Sequence, residues 1–147
     1  MTNLCENRKA RFDYEIIETF EAGISLLGTE IKSLRANGGS IAESYISIVR
    51  GEAYLKNATI APYAFGGVAF NHEEKRERKL LLHKREIGTL HKAIQEKGLT
   101  VIPLSIYLKK GRAKLKIAIG RGKKAHDKRS SIKKREHERE ISRAMKS

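Results

Sequence analysis

The chain has 147 residues, with 31 Lys or Arg against 17 Asp or Glu and a formal net charge of +14. That length fits one domain with one modest core, and an excess of cations on this scale implies a polyanionic partner, either nucleic acid or an anionic surface. No apolar run approaches the roughly 18 residues of a spanning helix and no basic-then-apolar signal region opens the chain. The single Cys5 excludes an intrachain disulfide and a thiolate metal cluster within one chain, so the expectation is a soluble, cytoplasmic protein with no membrane partner.

Taken in chain order, Phe12, Tyr14 and Ile16 alternate with charged residues, and residues 24–27 follow after Glu21-Ala22-Gly23. This pattern predicts a first hairpin with its break at Gly23. A short helix is expected over residues 30–36, ended by Asn37-Gly38-Gly39 with Gly38 as the cap. Ile46 and Ile48, the turn Arg50-Gly51-Glu52, and then Ala53, Leu55, Ala58 and Ile60 up to Pro62 predict a second hairpin. A longer helix is expected over residues 75–97, with Leu80, Ile87, Leu90 and Ile94 at helical spacing. Gly88 weakens its middle or divides it, and Gly98 stands at its end.

The third hairpin has the clearest pattern. Leu104, Ile106 and Leu108 fall on one face, Lys109-Lys110-Gly111-Arg112 turns the chain, and Leu115, Ile117 and Ile119 return. Period-two alternation sets Lys114 and Lys116 on the opposite face, near Tyr107 and Lys109. Six short strands with a helix before the final hairpin point to a mainly β fold with flanking helices, a small antiparallel barrel of the oligonucleotide-binding (OB) type.

The character changes after Gly120. Residues 121–147 hold eleven Lys or Arg and four Asp or Glu, so half of the net charge sits there. Ile132 and Ile141 are nine residues apart, about 180° around a helix, so no apolar stripe exists to dock the segment on a core. The expected division is a barrel over residues 1–121 and a basic tail over residues 122–147. The tail is expected to be disordered when free and helical when a polyanion neutralises it. The plainer reading is a solvated extension that adds nonspecific affinity.

Catalytic constellations are not found. His83 and His91 could share a helix face, but no acid or thiol completes a metal site, and the histidines read as ordinary surface residues. Gly120-Arg121-Gly122-Lys123-Lys124 lacks the earlier glycine of a phosphate loop, since Ile117 stands there, and position 124 is Lys instead of Ser or Thr. Its amides and lysines can still hold phosphates, which makes Lys123 and Lys124 candidate RNA contacts. No catalytic residue, metal or cofactor is expected. Lys114 and Lys116 could equally be exposed strand residues, and Leu81 a core leucine.

Five segments carry a resemblance: "NRKARFDYEI" (7–16), "FEAGISLLGTEIKSLRA" (20–36), "GEAYL" (51–55), "RKLLLHKREI" (78–87) and "GKKAHDKR" (122–129). Together they resemble the small protein B (SmpB) family, the bacterial proteins that bind transfer-messenger RNA (SsrA), over nearly the whole chain. The resemblance implies an OB-like barrel and a noncatalytic role in trans-translation. In that process alanyl transfer-messenger RNA is delivered to stalled ribosomes with EF-Tu and GTP, and the nascent chain is tagged for degradation.

By the same resemblance, the barrel grips the transfer-RNA-like domain through Glu21, Leu81 and Lys114. Glu21 would serve as an acceptor for base or ribose hydrogen bonds, the alternative being a solvated turn residue beside Gly23. Leu81 would either pack against RNA or hold the helix on the barrel. The tail would enter the decoding centre and the vacant messenger path of the ribosome. Gly122, Lys123, Lys124, Asp127, Lys128 and Arg129 match the family motif, His126 takes its stacking position, and the tail set extends to Ile132 and Met145. After Ile132 the match is one of basic character, and the amino-terminal arm is short against the family pattern. The implied state is a monomer.

Overall fold

The computed structural model of the protein describes residues 2–64 and 71–123. In chain order these form β1 (Thr2–Glu6), α1 (Arg8–Asp13), β2 (Tyr14–Ile24), α2 (Gly28–Arg35), β3 (Gly39–Ser40) and β4 (Tyr45–Val49). There follow β5 (Glu52–Lys56), β6 (Thr59–Ile60), β7 (Arg78–Leu81), α3 (Lys84–Gln95), β8 (Leu99–Lys109) and β9 (Arg112–Gly122). Seven strands make an antiparallel sheet in the order β1-β8-β9-β2-β7-β5-β4, and β3 pairs with β6 in a separate ribbon. The mainly β architecture with flanking helices is as expected. The sheet itself is open, with β1 and β4 at its edges and β4 folded back against β8.

Two of the three expected hairpins form. Arg50 (φ 52°) and Gly51 (φ 75°) join β4 to β5, and Lys110 (φ 51°) and Gly111 (φ 76°) join β8 to β9. Two consecutive positive φ values define the two-residue turn whose twist matches its strands. The second hairpin stops at Asn57 (φ 63°), so Thr59 and Ile60 belong to a different ribbon. Leu115 and Ile117 of β9 are fully buried in the main core with Ala22, Leu55, Leu80 and Ile106. Each such leucine or isoleucine contributes about 1.5–3 kcal/mol.

The first expected hairpin does not exist. Asn7 caps α1 by accepting from the Ala10 amide (3.3 Å) and is tied to β8 through Leu104 O (2.8 Å) and Pro103 O (3.0 Å), so Phe12 is helical. β2 then runs unbroken through Glu21-Ala22-Gly23, which pair with Lys116, Leu115 and Lys114. Gly23 serves close packing instead of a turn, since a Cβ there would sit 3.2 Å from Leu81 Cβ.

The expected helix over residues 75–97 is half strand. Arg78 and Leu80 are buried while Lys79 and Leu81 are exposed, a period of two, and α3 begins only at Lys84. Glu86 accepts the His83 amide (3.0 Å) at its start, Gly88 does not divide it, and Leu90 and Ala93 bury its inner face. The helix therefore covers the sheet beside β8, as expected, with a shorter stripe.

A bulge in β8 between Pro103 and Ser105 switches the facing of its side chains. Ile102 and Leu104 pack with Ala10 and Ala118 under α1, whereas Ile106 enters the main core, so Leu104 does not share a face with Ile106.

At the end of α2 the residue with positive φ is Asn37 (62°), not Gly38. The amides of Asn37 and Gly38 donate to Leu34 O (3.0 Å) and Ser33 O (2.8 Å), a Schellman closure. Gly38 is needed for space: a Cβ would lie 2.3 Å from Ser33 Oγ and 2.9 Å from Ser33 O. Gly38→Ala is therefore expected to cost about 1–3 kcal/mol, read as a lower midpoint in urea unfolding followed by circular dichroism. An unchanged midpoint would mean that the loop relaxes freely.

Candidate nucleic-acid interface

The face of the sheet opposite the main core is only partly covered. α1 covers its Ile102 and Ala118 end, and the end nearest the β8–β9 turn is left open. Register sets which residues stand there. Leu81 on β7 pairs with Gly23 on β2, Gly23 with Lys114 on β9, Glu21 with Lys116, and Lys114 with Tyr107 on β8. Glu21, Leu81, Lys114 and Lys116, all singled out in the sequence, thus converge on three adjacent strands.

Leu81 is 62% exposed. It is neither a core leucine nor part of a helix, and it offers an apolar surface beside a lysine. Glu21 is not a turn residue either. Its Oε2 accepts the Tyr107 hydroxyl in a short hydrogen bond, and Lys109 Nζ lies 3.4 Å from each carboxylate oxygen. The hydrogen bond from Tyr107, with Lys109 and the charge of Lys114 acting in the same sense, holds the Glu21 carboxyl below the usual carboxylate range. Burial, reinforced by the hydrogen bond to Glu21, pushes the Tyr107 hydroxyl up.

Two concavities flank this pair. One, of about 520 Å³, is lined by Thr19, Glu21, Ser105, Tyr107, Lys109 and Lys116. The other, of about 300 Å³, has Gly23, Leu26, Ile31 and Leu81 as its apolar wall and Arg112 and Lys114 as its cations. An apolar wall beside paired cations suits a base or ribose next to its phosphate.

Gly122 and Lys123 do not join this face. Lys123 stands at the far end of β9, roughly 30 Å along the strand from Lys114 at ~3.3 Å per residue, with its amide on Asp13 O (3.1 Å) and Nζ 3.4 Å from Arg11 O. Gly122, assigned to the tail, is the last residue of β9 and pairs with Tyr14. Lys124, His126, Asp127, Lys128, Arg129, Ile132 and Met145 lie outside the described residues.

Tyr107, Lys109 and Arg112 are the members that sequence reading missed as site residues. Alternation does set Tyr107 beside Lys114, but its bond to Glu21 spans 86 positions and leaves no local signal. The histidines also need correction. His72 is buried, with Nδ1 2.9 Å from Thr29 Oγ1 and Nε2 2.8 Å from Ile60 O. A carbonyl only accepts, so Nε2 is a donor to Ile60 O. His83 precedes α3 and His91 lies on its exposed side.

Among the described residues no three His, Cys, Asp or Glu stand close enough to hold a metal ion, and no helix is long and apolar enough to cross a membrane. Burial raises the Cys5 thiol, whose Sγ lies 3.5 Å from Gly39 O.

An open antiparallel sheet with one packed face and one cationic face bearing an exposed leucine defines a sheet-face module built to meet a polyanion. The SmpB protein family model matches residues 4–147, and the chain belongs to that family. It is 56% identical over 143 residues to the SsrA-binding protein of Chlamydia trachomatis serovar A, covering 97% of this chain and 94% of that one. The SsrA-binding protein of Protochlamydia amoebophila is 52% identical over 145 residues, covering 99% and 94%. A solved structure described as "tmRNA-SmpB: a journey to the center of the bacterial ribosome" superposes with a TM-score of 0.69 at 52% identity, over 84% of this chain and 87% of that one.

Proposed function

We propose that this chain binds transfer-messenger RNA and acts in trans-translation as a noncatalytic factor in the cytoplasm. The sheet face holds the transfer-RNA-like domain, and the basic tail from Lys124 onward occupies the decoding centre and vacant messenger path of a stalled ribosome. EF-Tu with GTP is the partner in delivery, and the chain acts as a monomer. The observation that carries this reading is the convergence of Glu21, Leu81, Lys114 and Lys116, from three separate parts of the chain, on one uncovered face. Family membership supports it independently.

Each residue has a physical task in this reading. Lys114 and Lys116 neutralise phosphates, Leu81 covers the apolar edge of a base or ribose, and Glu21 accepts hydrogen bonds that no phosphate can supply. The tail motif from His126 to Arg129 combines a ring that stacks on an exposed base with cations for phosphates.

Lys114→Ala is expected to weaken binding to transfer-messenger RNA and to reduce the slope of log affinity against log salt by about 0.7–0.9, one phosphate contact. Leu81→Ala is expected to weaken specific binding with no loss of thermal stability, because the side chain is exposed. Titrations at several salt concentrations, against an unrelated structured RNA of equal length, check both. Equal affinity for the two RNAs in the unaltered chain would turn the reading toward a general RNA chaperone.

A further inference from the structure

Glu21 is an acid on a surface that meets phosphates, and it is not presented freely. β2 and β8 are not neighbours; β9 lies between them. Two strand spacings of ~4.8 Å put their backbones roughly 10 Å apart. A tyrosine and a glutamate reaching toward each other across β9 close that gap, and they meet in the short hydrogen bond from the Tyr107 hydroxyl to Oε2. Tyr107 is only 5% exposed, so its ring is held by packing and its hydroxyl needs an acceptor.

The charges around this contact are sorted. Lys109 on β8 touches both carboxylate oxygens, and Lys114 and Lys116 approach from β9. Arg11 of α1 and Glu6 of β1 stand on the far wall of the same concavity. One carboxylate offers about four lone-pair sites. Tyr107 uses one, Lys109 bridges the pair, and the Glu21 side chain remains 38% exposed, so acceptor capacity is left toward solvent.

We infer that Tyr107 is a positioning residue: its hydroxyl, with Lys109, fixes the Glu21 carboxylate as an oriented acceptor for RNA donors such as a base amino group or a ribose 2′-hydroxyl. The inference rests on the assignment of Glu21 to RNA binding. Fixing the acceptor beforehand removes the ordering cost that a free glutamate would meet on contact with RNA. The same contacts hold the Glu21 carboxyl below the usual carboxylate range.

The test uses the full chain, a transfer-messenger RNA transcript and an unrelated structured RNA of equal length. Glu21→Gln and Tyr107→Phe are each expected to lower affinity for the transcript on the order of tenfold. The double variant should be little worse than either, because the two side chains act as one unit. Affinity for the unrelated RNA should not fall in any of these variants, since none removes a cation.

Carbon NMR of the Glu21 carboxyl in the free protein supplies a readout that packing alone does not move. Its midpoint lies below the ordinary value of about 4.3 in the unaltered chain and rises toward it in Tyr107→Phe. An unaltered-chain midpoint at or above that value overturns the inference without any variant. So does an additive double variant, or a midpoint that Tyr107→Phe leaves in place. If Glu21→Gln itself leaves transcript affinity unchanged, the assignment of Glu21 to RNA fails, and the positioning role falls with it.

Discussion

Removal of residues 124–147 is expected to abolish tagging on stalled ribosomes while specific binding to transfer-messenger RNA survives. The cut follows from the strand register. Gly122 still pairs with Tyr14 and the Lys123 amide still donates to Asp13 O (3.1 Å), so every β9 contact of the described fold remains. The deleted segment carries nine Lys or Arg and four Asp or Glu. Affinity for unrelated RNA should therefore fall, with a flatter salt dependence of up to ~0.9 per lost phosphate contact. A reconstituted translation reaction on a message without a stop codon measures tagging, and a parallel titration measures binding. Tagging that persists in the truncated chain would remove the proposed role of the tail. Loss of all specific binding would show instead that face and tail are not separable.

The second large effect concerns stability. Glu30 and Arg78 are fully buried and face each other. Glu30 Oε2 accepts from Arg78 Nε (2.8 Å) and Nη2 (2.5 Å), while Oε1 accepts from Arg76 Nη2 (2.7 Å) and the Leu27 amide (2.8 Å). Arg78 also donates to Ala58 O (2.8 Å) and Glu74 O (3.2 Å). One carboxylate thus caps α2 and pins β7 to it. Glu30→Ala leaves the buried Arg78 without its carboxylate, at a cost of about 3–5 kcal/mol, a fall in Tm of roughly 10–20 °C for a domain of this size; Arg78→Met costs less, because Arg76 still pairs with Glu30 (2.7 Å). The double variant Glu30→Leu with Arg78→Met should melt above Glu30→Leu alone, since the buried lone charge is gone and the Arg76 left behind is 31% exposed to solvent. Additive losses would deny the coupling.

The same network sets a pH dependence. Burial works against the Glu30 charge, yet hydrogen bonds from Arg76, Leu27 and Arg78 outweigh it and hold the pKa below the usual range. A depressed folded pKa means stability that is fully present above the unfolded value of about 4.3 and lost as pH falls through the folded value. Thermal melts between pH 6 and pH 3 should therefore fall less steeply with acid in a Glu30→Leu, Arg78→Met chain than in the unaltered one.

Local patterning was legible wherever a residue's neighbours in sequence are also its neighbours in space. Arg50-Gly51 and Lys110-Gly111 turn as read, because a two-residue hairpin turn is a local conformational demand. α2 ends where Asn37-Gly38 stands, although Asn37 takes the positive φ and Gly38 supplies room. Errors came where a distant partner decided. Leu80, Ile87, Leu90 and Ile94 sit at helical spacing, but Glu30, 48 positions away, holds Arg78 in β7 and so places Leu80 on a strand. Glu21-Ala22-Gly23 looked like a break because glycine weakens a strand in isolation. Between β9 and β7, that glycine is what lets Leu81 come close.

The candidate site divides along the same line. Charge, the alternation through Lys114 and Lys116, and the family motifs were sufficient to name Glu21, Leu81, Lys114 and Lys116, since residue type and period are properties of the chain itself. What holds those residues was decided by the tertiary structure: β2 and β8 flank β9, which allows Tyr107 and Lys109 to reach Glu21 across it. The physical reason is that a strand's alternation fixes only which side of the sheet a residue takes. Strand order and register determine which residues meet there, and they follow from burying the main core and satisfying Glu30 and Arg78, partners that no local window contains.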